Sequence, residues 1–91
     1  MNAAIALPEN ERLIRESELE ALCAGVEGID ARILAAIIKR TELVRRIAHA
    51  ERTAGRTTSS YQAELAVVDR FGSLGREGLS LGRLLNRLAK T

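Results

Sequence analysis

An all-α fold is predicted by three features of this 91-residue sequence. Apolar residues recur in alternating steps of four and three over more than thirty positions, the period of a helix face and not of a strand. Glycine and hydroxyl residues punctuate the chain between three such stretches, and no alternating strand pattern occurs. The expected architecture is one long helix and two shorter ones, a single domain over 1–91 that is completed by a second copy as an intertwined homodimer.

The first helix is expected to begin near Pro8 to Asn10, with Glu9 and Glu11 suited to its positive end. Leu22, Val26, Ile29, Ile33, Ala36, Arg40, Leu43, Ile47, Ala50 and Ala54 form a heptad-like seam along it. Leu19, Leu34, Ile37, Ile38 and Val44 broaden that face. Gly25 and Gly28 mark either a place for close backbone contact or a local weakness. The helix should stop at Gly55, where AGRTTSS places hydroxyl residues after a glycine. A helix of roughly 40 residues extends about 60 Å, farther than a compact monomer of this size can cover.

The second helix should run from about Ser60 to Arg70. Ser59 and Gln62 have capping-box spacing, and Tyr61, Leu65, Val68 and Phe71 form its apolar side. GSLGREG, residues 72–78, reads as a turn. The last helix, about Leu79 to Ala89, presents Leu81, Leu84, Leu85 and Leu88, with Arg83, Arg87 and Lys90 toward water or a ligand.

Composition narrows the functional classes. Hydrophobic residues are 46% of the chain, too many for a disordered segment, and Phe71 and Tyr61 are its only aromatic rings, so the core must be aliphatic. The single cysteine, Cys23, excludes an intramolecular disulfide and a cysteine-based zinc site. No apolar run is long enough to span a bilayer, and the N-terminus lacks the features of a signal peptide, so the cytoplasm is the expected compartment. The net charge of +2 conceals a division: −5 over residues 1–30, +5 over 31–60 and +2 over 61–91. Two first helices laid antiparallel would set each acidic half beside the other's basic half, although a solvated helix with clustered charge gives the same pattern. No aromatic residues interleave the basic run, which argues against a nucleic-acid partner.

Arg40 is the strongest local signal of function. Its five guanidinium donors lie on an otherwise apolar seam and require acceptors, because desolvating the charge alone costs several kcal/mol or more. A bound carboxylate would supply them; so would an internal glutamate, or a side chain that snorkels past the seam. Glu64, four positions after Ser60, could accept a hydrogen bond from a ligand or simply serve an ordinary helix N-terminus. Arg45, Arg46 and Arg52 are candidate anion contacts or a solvated basic face. His49 has no second histidine or cysteine for a metal, and Gly75–Gly78 lacks the length and lysine of a phosphate loop.

GIDARILAAIIKRTELVRRIAHAERTAG, residues 28–55, resembles the first-helix pattern of the all-helical chorismate mutases, particularly the short actinobacterial kind. SSYQAELAVVDRFGSLGREGLSLGRLLNRLAK, residues 59–90, continues the resemblance through the second and third helices. It implies an intertwined dimer with two active sites that rearranges chorismate to prephenate without a cofactor or a covalent intermediate. It also implies a shikimate-pathway enzyme as an activating partner, on which short members can depend.

Residue by residue, Arg40 matches the family's core arginine, and Glu64 matches the glutamate that contacts the substrate hydroxyl. The arginine expected from the partner's first helix falls at Cys23. The later cation of the first helix falls at Glu51, and the arginine before the second-helix glutamate falls at Ala63. Arg52 is one residue from Glu51, which turns its side chain by about 100°, and Arg46 carries a similar burden. The breaking carbon–oxygen bond of chorismate develops charge that cations should stabilise. Ionised Glu51 would oppose that charge, whereas protonated Glu51 would be a neutral donor or a general acid.

The reading is therefore a chorismate mutase-like isomerase, or a repurposed pericyclic or elimination catalyst acting on a related carboxylated ring. Arg40, Glu51 and Glu64 are its catalytic candidates. Substrate contacts are expected at Arg40, Glu64, Cys23, Ala63, Ser60, Arg46 and Arg52, and the substrate is a small anionic ring. The rival is a noncatalytic interaction or regulatory protein on the same dimeric scaffold, in which Arg40 is satisfied internally by Glu51 or Glu64.

Overall fold

The computed structural model describes residues 9–56 and 60–90. Its order is α1 (Glu9–Thr53), α2 (Ser60–Phe71), a 3₁₀ turn (Gly72–Leu74) and α3 (Arg76–Ala89). No strand occurs among the described residues, and none of their helices is long and apolar enough to cross a membrane. The architecture is all-α, with one long helix and two shorter ones.

The end of α1 follows from its sequence. Gly55 adopts φ 68°, the left-handed region that favours glycine. That geometry lets the Arg56 N–H donate to Glu51 O at 2.8 Å and the Gly55 N–H donate to Arg52 O at 3.2 Å, the paired bonds of a Schellman cap. The Thr53 hydroxyl donates to His49 O at 2.9 Å. At the other end Glu9 and Glu11 occupy the first turn, and Arg12 pairs with Glu9 at 3.2 Å. The proposed Ser59 cap of α2 and the Pro8 start of α1 lie outside the described residues.

By backbone contacts the chain divides into two units, Met1–Leu34 and Ala35–Thr91. In the first, described from Glu9, the helical seam has no cover: Leu22 is 69% exposed, Val26 60% and Ile29 48%. Gly25 and Gly28 face open space and do not interrupt the helix.

In the second unit α2 and α3 are held against each other through glycine. A Cβ on Gly82 would lie 2.9 Å from Val68 Cα, and one on Gly78 would lie 1.9 Å from the Phe71 carbonyl oxygen. Both glycines are buried, beside Val67 and Leu85. This corrects two expectations. The glycine-rich stretch is not a turn throughout: Gly75, at φ 82°, makes the break, and α3 starts at Arg76, three residues early. Gly78 is inside the helix because the neighbouring backbone leaves no room for a side chain. The buried side of α2 centres on Val67, whereas Tyr61 and Leu65 are exposed, as are Leu84 and Leu88 of α3. Close approach at the two glycines sets which faces meet and leaves the other apolar faces uncovered.

Replacing Gly82 by alanine should lower stability by about 1–3 kcal/mol, the usual cost of overpacking, measured as a lower urea midpoint. An unchanged midpoint would mean that α2 and α3 do not approach this closely.

Candidate active site

The second unit has a half-open cavity of about 670 Å³. From α1 it is lined by Arg40, Val44, Arg45, Ile47, Ala48, Glu51 and Arg52; α2 contributes Ala63, Glu64 and Val67, α3 contributes Asn86 and Ala89, and Lys90 caps the end of α3. Steps of three and four along α1 bring Arg40, Val44, Ile47 and Glu51 to one stripe. Ala48, Ala63 and Ala89 give each helix a short side chain at the cavity, and that is what leaves the volume open.

Arg40 is half-buried, and its Nη1 is shut from solvent with no hydrogen-bond partner. Neither glutamate of the cavity satisfies it. Glu64 instead forms an ion pair with Lys90 Nζ, while its main-chain carbonyl accepts a hydrogen bond from Asn86 Nδ2 at 3.2 Å. The Glu51 main-chain oxygen serves the cap of α1, and its half-buried carboxylate has no described ion-pair partner. The Arg45 Nη2 donates to Leu88 O at 3.3 Å and so ties α1 to α3. Arg40 lines this cavity, and a planar guanidinium can offer a carboxylate two parallel bonds.

Of the residues marked in the sequence, the cavity gathers Arg40, Arg45, Glu51, Arg52, Ala63 and Glu64. Arg46 is placed elsewhere: it pairs with Glu42 at 3.5 Å, with 70% of its side chain exposed. Cys23 is an exposed residue of the first unit. The side chain of Ser60 is not described. Among the described residues no cluster of His, Cys, Asp or Glu could hold a metal ion.

Asn86 is the lining residue that sequence reasoning missed, and Lys90 was placed only toward water or a ligand. A signal existed. Gly82, Asn86 and Lys90 are four apart and share one stripe of α3, and an asparagine inside the leucine-rich run LLNRLA calls for a polar partner.

The chain is thus a small all-α protein of three helices, with Arg40, whose Nη1 lacks an acceptor, among the residues lining a cavity between them. No family model matches the chain. It is 32% identical over 91 residues to the intracellular chorismate mutase of Mycobacterium tuberculosis (strain ATCC 25618 / H37Rv), covering 98% of this chain and 87% of that protein. The intracellular chorismate mutase of Mycolicibacterium smegmatis (strain ATCC 700084 / mc(2)155) is 36% identical over 74 residues, with 80% of this chain and 71% of that protein covered. The chain belongs to the chorismate mutase family.

Replacing Arg40 by methionine should stabilise the ligand-free protein by about 1–3 kcal/mol, because a buried unsatisfied donor is removed while the side-chain volume is largely kept. Chemical denaturation measures this. A destabilised R40M protein would mean that Arg40 is satisfied internally.

Proposed function

We propose that this protein is an isomerase that rearranges chorismate to prephenate, with Arg40 anchoring a substrate carboxylate. The buried, acceptor-less Nη1 of Arg40, in a cavity of a chain from this family, carries the reading. The reaction is intramolecular: the ether carbon–oxygen bond breaks as a carbon–carbon bond forms, and no group is transferred to the protein. The chain therefore needs to compact the substrate and to stabilise the charge that develops on oxygen. Glu64, fixed through its carbonyl by Asn86 and through its carboxylate by Lys90, is suited to accept a hydrogen bond from the ring hydroxyl. Glu51 is the specificity determinant, a carboxyl side chain lining the cavity where relatives of this kind are expected to carry a cation. A cytoplasmic location agrees with the word intracellular in the names of the relatives.

Following chorismate consumption and identifying the product tests this. Wild-type protein should form prephenate. R40A should lower kcat/KM by about 100-fold or more, the loss of a charged, desolvated contact of roughly 3 kcal/mol. E51K should raise kcat/KM. Absence of both turnover and chorismate binding in the wild type would overturn the reading.

The active form is a homodimer. Support comes from the uncovered seam of Leu22, Val26 and Ile29, a larger apolar stripe than a soluble monomer ordinarily shows to water, and from the opposite charge of residues 1–30 and 31–60. Each copy would then act as one domain closed by the other. Light scattering should give the mass of two chains, and I29D should give one chain with little activity. A monomeric wild type that retains full turnover would contradict the dimer.

A further inference from the structure

We propose that Lys90 is the second anion anchor of the cavity, holding one carboxylate of the dianionic substrate while Arg40 holds the other. The inference rests on the cavity being a ligand site and adds the residue that the familiar cation positions do not supply. Positions 51 and 63 hold a carboxylate and a methyl group, and neither can bind an anion as a cation would.

The charges at the cavity are unequal. Arg40, Arg45, Arg52 and Lys90 carry four positive charges, and Glu51 and Glu64 carry two negative ones, leaving +2. A dianion neutralises that excess, whereas a monocarboxylate leaves a positive charge over. Among the four cations Lys90 is the one whose head is ion-paired to a cavity carboxylate, on Glu64, immediately after Ala63 in sequence. An ammonium has three donors. One on Glu64 leaves two for a ligand, so Lys90 can hold Glu64 and receive a carboxylate together. Its side chain is 66% exposed, and its flexible stem gives the ammonium freedom to follow the ligand. The Arg45 Nη2 ties α1 to α3 through the Leu88 carbonyl, a contact that movement of its guanidinium toward a ligand would break. Arg52 follows Glu51 in the last turn of α1, and its side chain leaves the helix about 100° away from the direction of residue 51.

Calorimetric titration of the full-length protein with cis-cyclohexane-1,3-dicarboxylate and with cyclohexanecarboxylate, neither of which can rearrange, tests the proposal. Wild-type protein should bind the dicarboxylate about tenfold more tightly. K90Q should abolish that preference while changing monocarboxylate affinity by less than about twofold, and K90R should restore it, because both retained forms carry the charge. R52Q should keep the preference. The inference is overturned if wild type shows no preference, if K90Q weakens both ligands equally, as loss of a purely structural Glu64 contact would, or if R52Q and not K90Q removes the preference. Chorismate turnover measured on the same preparations separates the two readings. A Lys90-dependent preference without turnover leaves the anchor standing and removes the proposed reaction, whereas turnover with an intact preference in K90Q does the reverse.

Discussion

A guanidinium nitrogen held away from water with no acceptor is the interaction around which the second unit is arranged. In Arg40 that nitrogen is Nη1, and its neighbours do not relieve it: Glu64 is engaged by Lys90, and Glu51 has no described ion-pair partner. Leaving a donor unsatisfied costs about 1–3 kcal/mol, a sizeable part of the marginal stability of a small domain. The chain sustains that cost through ordinary means elsewhere. The cap of α1 at Gly55 and the contact of α2 with α3 do not depend on Arg40. On the proposed reading, the unmet donor is the group that a ligand carboxylate satisfies.

The glycines of α3 connect packing to the site. Because Gly78 and Gly82 let α3 approach the α2 backbone, Asn86 reaches the Glu64 carbonyl and Lys90 reaches its carboxylate. A wider separation of the two helices would undo both contacts and loosen the wall of the cavity opposite Arg40. The same close approach leaves Leu65, Leu84 and Leu88 exposed. The first unit has its own exposed apolar seam in Leu22, Val26 and Ile29. Packing within one chain thus defines half of a surface problem, and a second copy is the proposed other half.

Much of this was legible in the sequence where the controlling interaction is local. The end of α1 follows from one glycine in a left-handed conformation, and the oddness of Arg40 follows from helical period alone. The first turn of α3 was not legible, because a glycine that permits a turn and a glycine that permits backbone contact have the same letter. Gly78 could be assigned only once Phe71 O was known to lie against it. Asn86 was missed, and Lys90 was placed only toward water or a ligand, for a related reason: their roles depend on which face of α3 meets Glu64. The resemblance to the family supplied positions 51, 63 and 64, which helical period could not have related to a ligand. It pointed to no cation in α3.

The most direct test of the central claim is a crystal structure of the protein with a bound dicarboxylate. The account predicts a carboxylate oxygen about 2.7–2.9 Å from Arg40 Nη1, the range of a charge-assisted hydrogen bond. It would be contradicted by an Arg40 Nη1 that donates to a protein acceptor while the ligand binds elsewhere.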